Sequence, residues 1–112
     1  MAGIPNIPGM MKQFQKMQEK MAAVQQELEG RMITADAGGG MVKVTANGKQ
    51  RLVTIEIDRE VVNPDDVQML EDLILASVNK ALEESSRVAQ EEIARATSGM
   101  LPNIPGLGIP GL

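Results

Sequence analysis

Lys12, Lys16 and Lys20 recur every fourth residue in the run MMKQFQKMQEKM, residues 10–21. On a helix that spacing lines three ammonium groups along one side, and Arg87 and Arg95 add guanidiniums to a later helical segment. Such a set neutralises phosphates and releases their counterions, giving a sequence-independent, salt-sensitive affinity for a polyanion. The plain alternative is a solvated face, because Glu19, Glu27, Glu83, Glu84, Glu91 and Glu92 lie close by in the chain.

Other chemistries lack their parts. Cys and His are both absent, which removes disulfides, thiolate nucleophiles, the usual proton shuttle and the commonest metal ligand. Ser77, Ser85 and Ser86 lie inside a helical pattern with no strained turn around them. Asp65, Asp66, Glu71 and Asp72 read as a helix start and its wet face, not as a metal cluster. Gly38-Gly39-Gly40 is followed by no Lys-Ser or Lys-Thr pair, so it reads as a turn and not as a phosphate cradle. The one aromatic residue, Phe14, is expected in the core, which leaves no platform for stacking single-stranded bases. The expectation is a non-enzymatic protein with no catalytic residue, no metal, no cofactor and no small-molecule substrate.

Composition narrows the class further. At 112 residues the chain forms one domain, and a formal charge of −4 confines any phosphate contact to a local positive patch. No apolar run approaches the ~20 residues of a membrane span, and the start MAGIPNIPG does not suit export, so the expected location is the cytoplasm, away from membranes.

The lysines need a helix to align them. Met10, Phe14, Met17, Met21, Val24 and Leu28 form a heptad seam with no Gly or Pro inside it, and Gly30 is placed to end the helix. The seam either covers a sheet or pairs with a second chain. Phe14, Met17, Met21, Val24 and Leu28 are therefore the candidate core and dimer positions, with a homodimer favoured.

Three short β-branched runs follow, separated by Gly38-Gly39-Gly40 and by Asn47-Gly48. Two-residue turns at Gly38-Gly39 and Asn47-Gly48 set Ala35 opposite Val42, Ile33 opposite Val44, Val44 opposite Arg51 and Val42 opposite Val53. Both registers place Ile33, Ala35, Val42, Val44, Val53, Ile55 and Ile57 on one face of an antiparallel meander, which then needs helices over it. Asn63-Pro64-Asp65-Asp66 starts the last helical stretch, whose stripe runs from Leu70 and Ile74 through Val78, Leu82, Ser85 and Ala89 to Ile93. A break is expected near Glu84-Ser85-Ser86, giving one long or two consecutive C-terminal helices and a projecting arm.

The fold class is thus α+β, with a dimerising domain over residues 10–97. It lies between Pro/Gly tails at 1–9 and 98–112 that share the phrase Pro-Asn-Ile-Pro-Gly. Extended tails are the first expectation, and docking of Ile7, Ile104, Leu107 and Ile109 on an apolar surface is the second.

The order of these pieces carries a resemblance. MMKQFQKMQEKM, then GGGMVKVTANGKQRLVTIEID, then NPDDVQMLEDLILASVNKALEESSRVAQEEI resembles the YbaB/EbfC family of bacterial nucleoid-associated proteins over nearly the whole chain. The resemblance implies a homodimer with a tweezer-like outline that binds double-stranded DNA in the cytoplasm through its first and last helices. Carried onto this sequence, it points to Lys12, Lys16, Lys20, Arg87 and Arg95. The rival reading is an adaptor whose tails and acidic arms hold a protein of the DNA-maintenance machinery.

Overall fold

The computed structural model describes residues 7–98. Helix α1 spans Ile7–Gly30, strands β1, β2 and β3 span Met32–Ala37, Val42–Asn47 and Leu52–Ile57, a 3-10 turn covers Arg59–Val61, and helix α2 spans Val67–Thr97. The expected tails fall mostly on residues 1–6 and 99–112, which lie outside the described residues. Ile7, Pro8 and Gly9 belong to α1, where the ring of Pro8 suits a first turn that has no amide partner to lose.

The strands form an antiparallel sheet in the order β1-β2-β3. Its registers differ from expectation by even steps. Ala35 pairs with Val44, because Met41 N–H donates to Gly38 O at 3.4 Å and the turn takes four residues. Gly38, Gly39 and Gly40 all adopt positive φ there, a conformation that costs glycine little.

In the second hairpin Asn47 opens the turn. Its carbonyl accepts from Gln50 N–H at 3.1 Å, its N–H donates to Arg51 O at 2.8 Å, and Gln50 takes the left-handed conformation at φ 61°. This is a type I turn closed by a left-handed residue, the usual three-residue hairpin. Asn47 Oδ1 reinforces it by accepting from Lys49 N–H at 2.9 Å and Arg51 N–H at 3.2 Å. Val44 consequently faces Ile55, not Arg51, and a bulge at Thr45/Ala46 absorbs the odd residue.

Even displacements preserve which side each residue faces as far as the bulge, beyond which Leu52 comes opposite the buried Ala46. Ala35, Val42, Val44 and Ala46 are buried with Val61 and Ala81, and Leu70, Leu73, Ile74 and Val78 of α2 pack on them. The covering helix is α2 alone, and it lies over β1 and β2. Every residue of β3 is exposed, including Val53, Ile55 and Ile57. Asp66, not Asn63, caps α2 by accepting from Met69 N–H at 3.2 Å, while Asn63 accepts from Asp65 N–H at 2.9 Å in the preceding turn.

No break occurs at Glu84-Ser85-Ser86, and α2 is continuous. Ser85 is buried because the hairpin tip sits on it: its hydroxyl donates to Asn47 O at 2.5 Å and accepts from Gln50 N–H at 3.0 Å. Beyond Ser85 the helix leaves the sheet and meets α1. Val24 and Leu28 are buried there with Val88, and Ile33, Ala89, Ile93 and Ala96 pack around them. The buried end of the α1 seam therefore covers mainly the arm of α2 and reaches the sheet only at Ile33 and the hairpin tip.

Candidate nucleic-acid interface

The heptad line of α1 changes character along its length. Val24 and Leu28 are buried, Met17 and Met21 are half-buried, and Phe14 is 63% exposed. Phe14 is therefore outside the core of this chain, contrary to the expectation from periodicity. Periodicity identifies a face, but the length of the neighbouring helix decides how much of it is covered.

At 100° per residue, Lys16 sits about 160° round the helix from Phe14, so the lysines occupy the other side of α1. All three are exposed. Among the described residues none of them forms an ion pair. No Asp or Glu occurs before Glu19, so the outer two turns of α1 carry cations without compensating charge. Lys16 and Lys20 border a shallow hollow with Glu19 and Ala23.

The two candidate arginines are held differently. Arg87 donates to Glu84 at 2.9 Å and to Glu91 at 2.7 Å, along its own helix. The hydrogen bond and charge of Arg87 hold the Glu84 carboxyl below its ordinary pKa, and Glu84 in turn, with help from Glu91, raises that of Arg87. Arg95 donates to Glu92 at 2.9 Å, and Glu92 also takes Arg31 at 2.7 Å, which ties the α1–β1 junction to the arm of α2. A phosphate at Arg87 or Arg95 has to compete with carboxylates already in place.

Sequence reasoning missed two positions that set the arm. Ser85 had a visible signal, since a small polar residue interrupts an apolar stripe where backbone comes close. Gly48 had a weaker one. Its N–H donates to Leu28 O at 2.8 Å, and a Cβ there would meet that same oxygen at 2.8 Å, so only glycine lets α1 lie against the hairpin tip.

Among the described residues no group of His, Cys, Asp or Glu is placed to hold a metal ion, and no helix is long and apolar enough to cross a membrane. The outer face of the sheet offers no cationic patch, because Lys43 pairs across strands with Asp36 on one side and Glu56 on the other.

The profile of the YbaB/EbfC DNA-binding family matches residues 2–100. A nucleoid-associated protein of Chlorobium luteolum is 54% identical over 99 residues, covering 88% of this chain and 89% of that one. Another from Chlorobium phaeobacteroides is 50% identical over 99 residues, with 88% and 87% covered. One from Alkaliphilus metalliredigens is 48% identical over 107 residues, with 96% and 92% covered. Among solved structures, an uncharacterized protein from Helicobacter pylori aligns with a TM-score of 0.58 at 22% identity, covering 79% of this chain and 98% of that one. At that identity the likeness speaks for the fold alone.

Proposed function

Since this chain belongs to the YbaB/EbfC DNA-binding family, we propose that it works as a non-enzymatic homodimer on the nucleoid in the cytoplasm. It holds duplex DNA through phosphate contacts and so helps to organise or protect the chromosome. The observation that carries this reading is the contrast among the candidate cations. Lys12, Lys16 and Lys20 are exposed and without ion pairs among the described residues, whereas Arg87 and Arg95 are engaged by carboxylates. The lysines take the main role and the arginines a secondary one.

The homodimer reading rests on the uncovered side of the sheet. Ile55 is 46% exposed and Leu75 is 61% exposed, on the strand and helix that border the gap left by α2. A second copy closing over β3 buries them and brings two lysine lines into one molecule. Doubling is important because each chain is net negative, so the attraction depends on concentrating a few cations.

The test is binding to a short duplex at low salt, comparing the full chain with K12E/K16E/K20E and with R87Q/R95Q. Abolished binding in the lysine variant, with most of the affinity kept in the arginine variant, is the expected result. Unchanged affinity in the lysine variant overturns the assignment.

A further inference from the structure

The backbone amides of residues 48–51, at the tip of the β2–β3 hairpin, are all spent inside the protein. Gly48 N–H donates to Leu28 O at 2.8 Å, those of Lys49 and Arg51 donate to Asn47 Oδ1 at 2.9 and 3.2 Å, and that of Gln50 donates to the buried Ser85 hydroxyl at 3.0 Å. The tip is thereby held against the inner end of α1, and no backbone donor is left for an anion, so recognition there falls to side chains. Lys49, Gln50 and Arg51 are exposed and border one hollow with Asn47 and Glu29. Although Glu29 puts a carboxylate on that lining, neither cation forms an ion pair among the described residues. We propose that Lys49, Gln50 and Arg51 form a second contact for the phosphate backbone of duplex DNA, separate from the lysines of α1.

The residue at the left-handed position supports this role. A hairpin of this kind ordinarily places Gly there, because a side chain is disfavoured, but Gln50 occupies it at φ 61°. The chain thus keeps an amide between an ammonium and a guanidinium at a conformational cost, and all three consecutive side chains donate hydrogen bonds. Lys supplies a point charge to a phosphate, and Arg a fork that matches its oxygens. The bond from Gly48 to Leu28 sets the tip about 12 Å along α1 from Lys20, at 1.5 Å per residue. Glu29 lies about 140° round the helix from Lys16, so the hollow opens on a different side of α1 and takes a different stretch of backbone. The inference rests on the DNA reading, and the tip adds to the lysine contacts without replacing them.

The test is the salt dependence of duplex affinity for the wild type, K49Q/R51Q and R59Q/K80Q, with circular dichroism and light scattering verifying the fold and mass of each. Both double variants lose the same charge, and Arg59 and Lys80 are exposed but do not line the hollow. The tip contact predicts several-fold weaker binding by K49Q/R51Q and a loss of about 1.8 from the magnitude of its salt slope, at about 0.9 per phosphate, while R59Q/K80Q keeps the wild-type slope. A tip variant with the wild-type slope and affinity, or one whose loss R59Q/K80Q matches, overturns the proposal and leaves the DNA reading standing. A wild-type protein that binds no duplex even at low salt overturns the DNA reading itself, and the tip contact with it.

Discussion

Ser85 shows how one side chain fixes the relation between sheet and arm. Its hydroxyl adds a second bond to each of two backbone groups of the hairpin tip that also bond to each other, the Asn47 carbonyl and the Gln50 N–H. Ser85→Ala is expected to cost about 1–2 kcal/mol in urea unfolding, the net worth of two lost hydrogen bonds whose backbone partners keep each other. A cost within error would mean that water replaces the hydroxyl. The sequence marks Ser85 as an oddity in an apolar stripe, but its partner is 38 residues away in the chain, and no local pattern encodes that distance.

Surface pairs give the opposite expectation. Glu84 titrates below its ordinary pKa because of Arg87, so any stability it adds is present above the unfolded carboxylate range and is lost as the pH falls through the folded value. Both side chains keep about half of their surface open, 56% for Arg87 and 47% for Glu84, and solvent screens the pair. Urea midpoints of the wild type and E84Q are therefore expected to run parallel from neutral pH down through the carboxylate range. A gap at neutral pH that closes on acidification would show that the pair stabilises the arm.

Among the elements, the strands were legible in kind and in face but not in partner. The alternation of Ile33, Ala35, Val42, Val44, Ile55 and Ile57 specifies a side, and any even slip keeps it. The turn lengths set the partners, and they depended on φ values at Gly40 and Gln50 that residue type alone does not announce. The same limit applies to α1, where periodicity marks a line but its cover depends on where α2 ends.

Two perturbations separate the joints. Leu28→Ala empties the contact between α1, the hairpin tip and Val88, and should cost about 2–5 kcal/mol, read by urea unfolding. Ile55→Asp places a carboxylate on the open apolar face of β3 and should leave the chain folded but halve its mass by light scattering. A dimer that survives Ile55→Asp moves the interface elsewhere, with the α1 line as the next surface to examine.

For the whole molecule, function depends on geometry overcoming net charge. A chain of −4 is repelled by DNA at long range, so the proposed binding requires the local cations to outweigh that charge within a Debye length of about 8–10 Å. The lysine line was legible from spacing alone. That its members lack carboxylate partners among the described residues, while the arginines do not, emerged only from the folded arm. The most direct measurement is the salt dependence of duplex affinity for the wild type and for K12Q/K16Q/K20Q. Each phosphate contact adds about 0.9 to the magnitude of the slope of log affinity against log salt. The variant should therefore lose at least about 2.5 from that slope, and up to about 5 if both copies engage. A variant with the wild-type slope and affinity would show that DNA is held by some other surface.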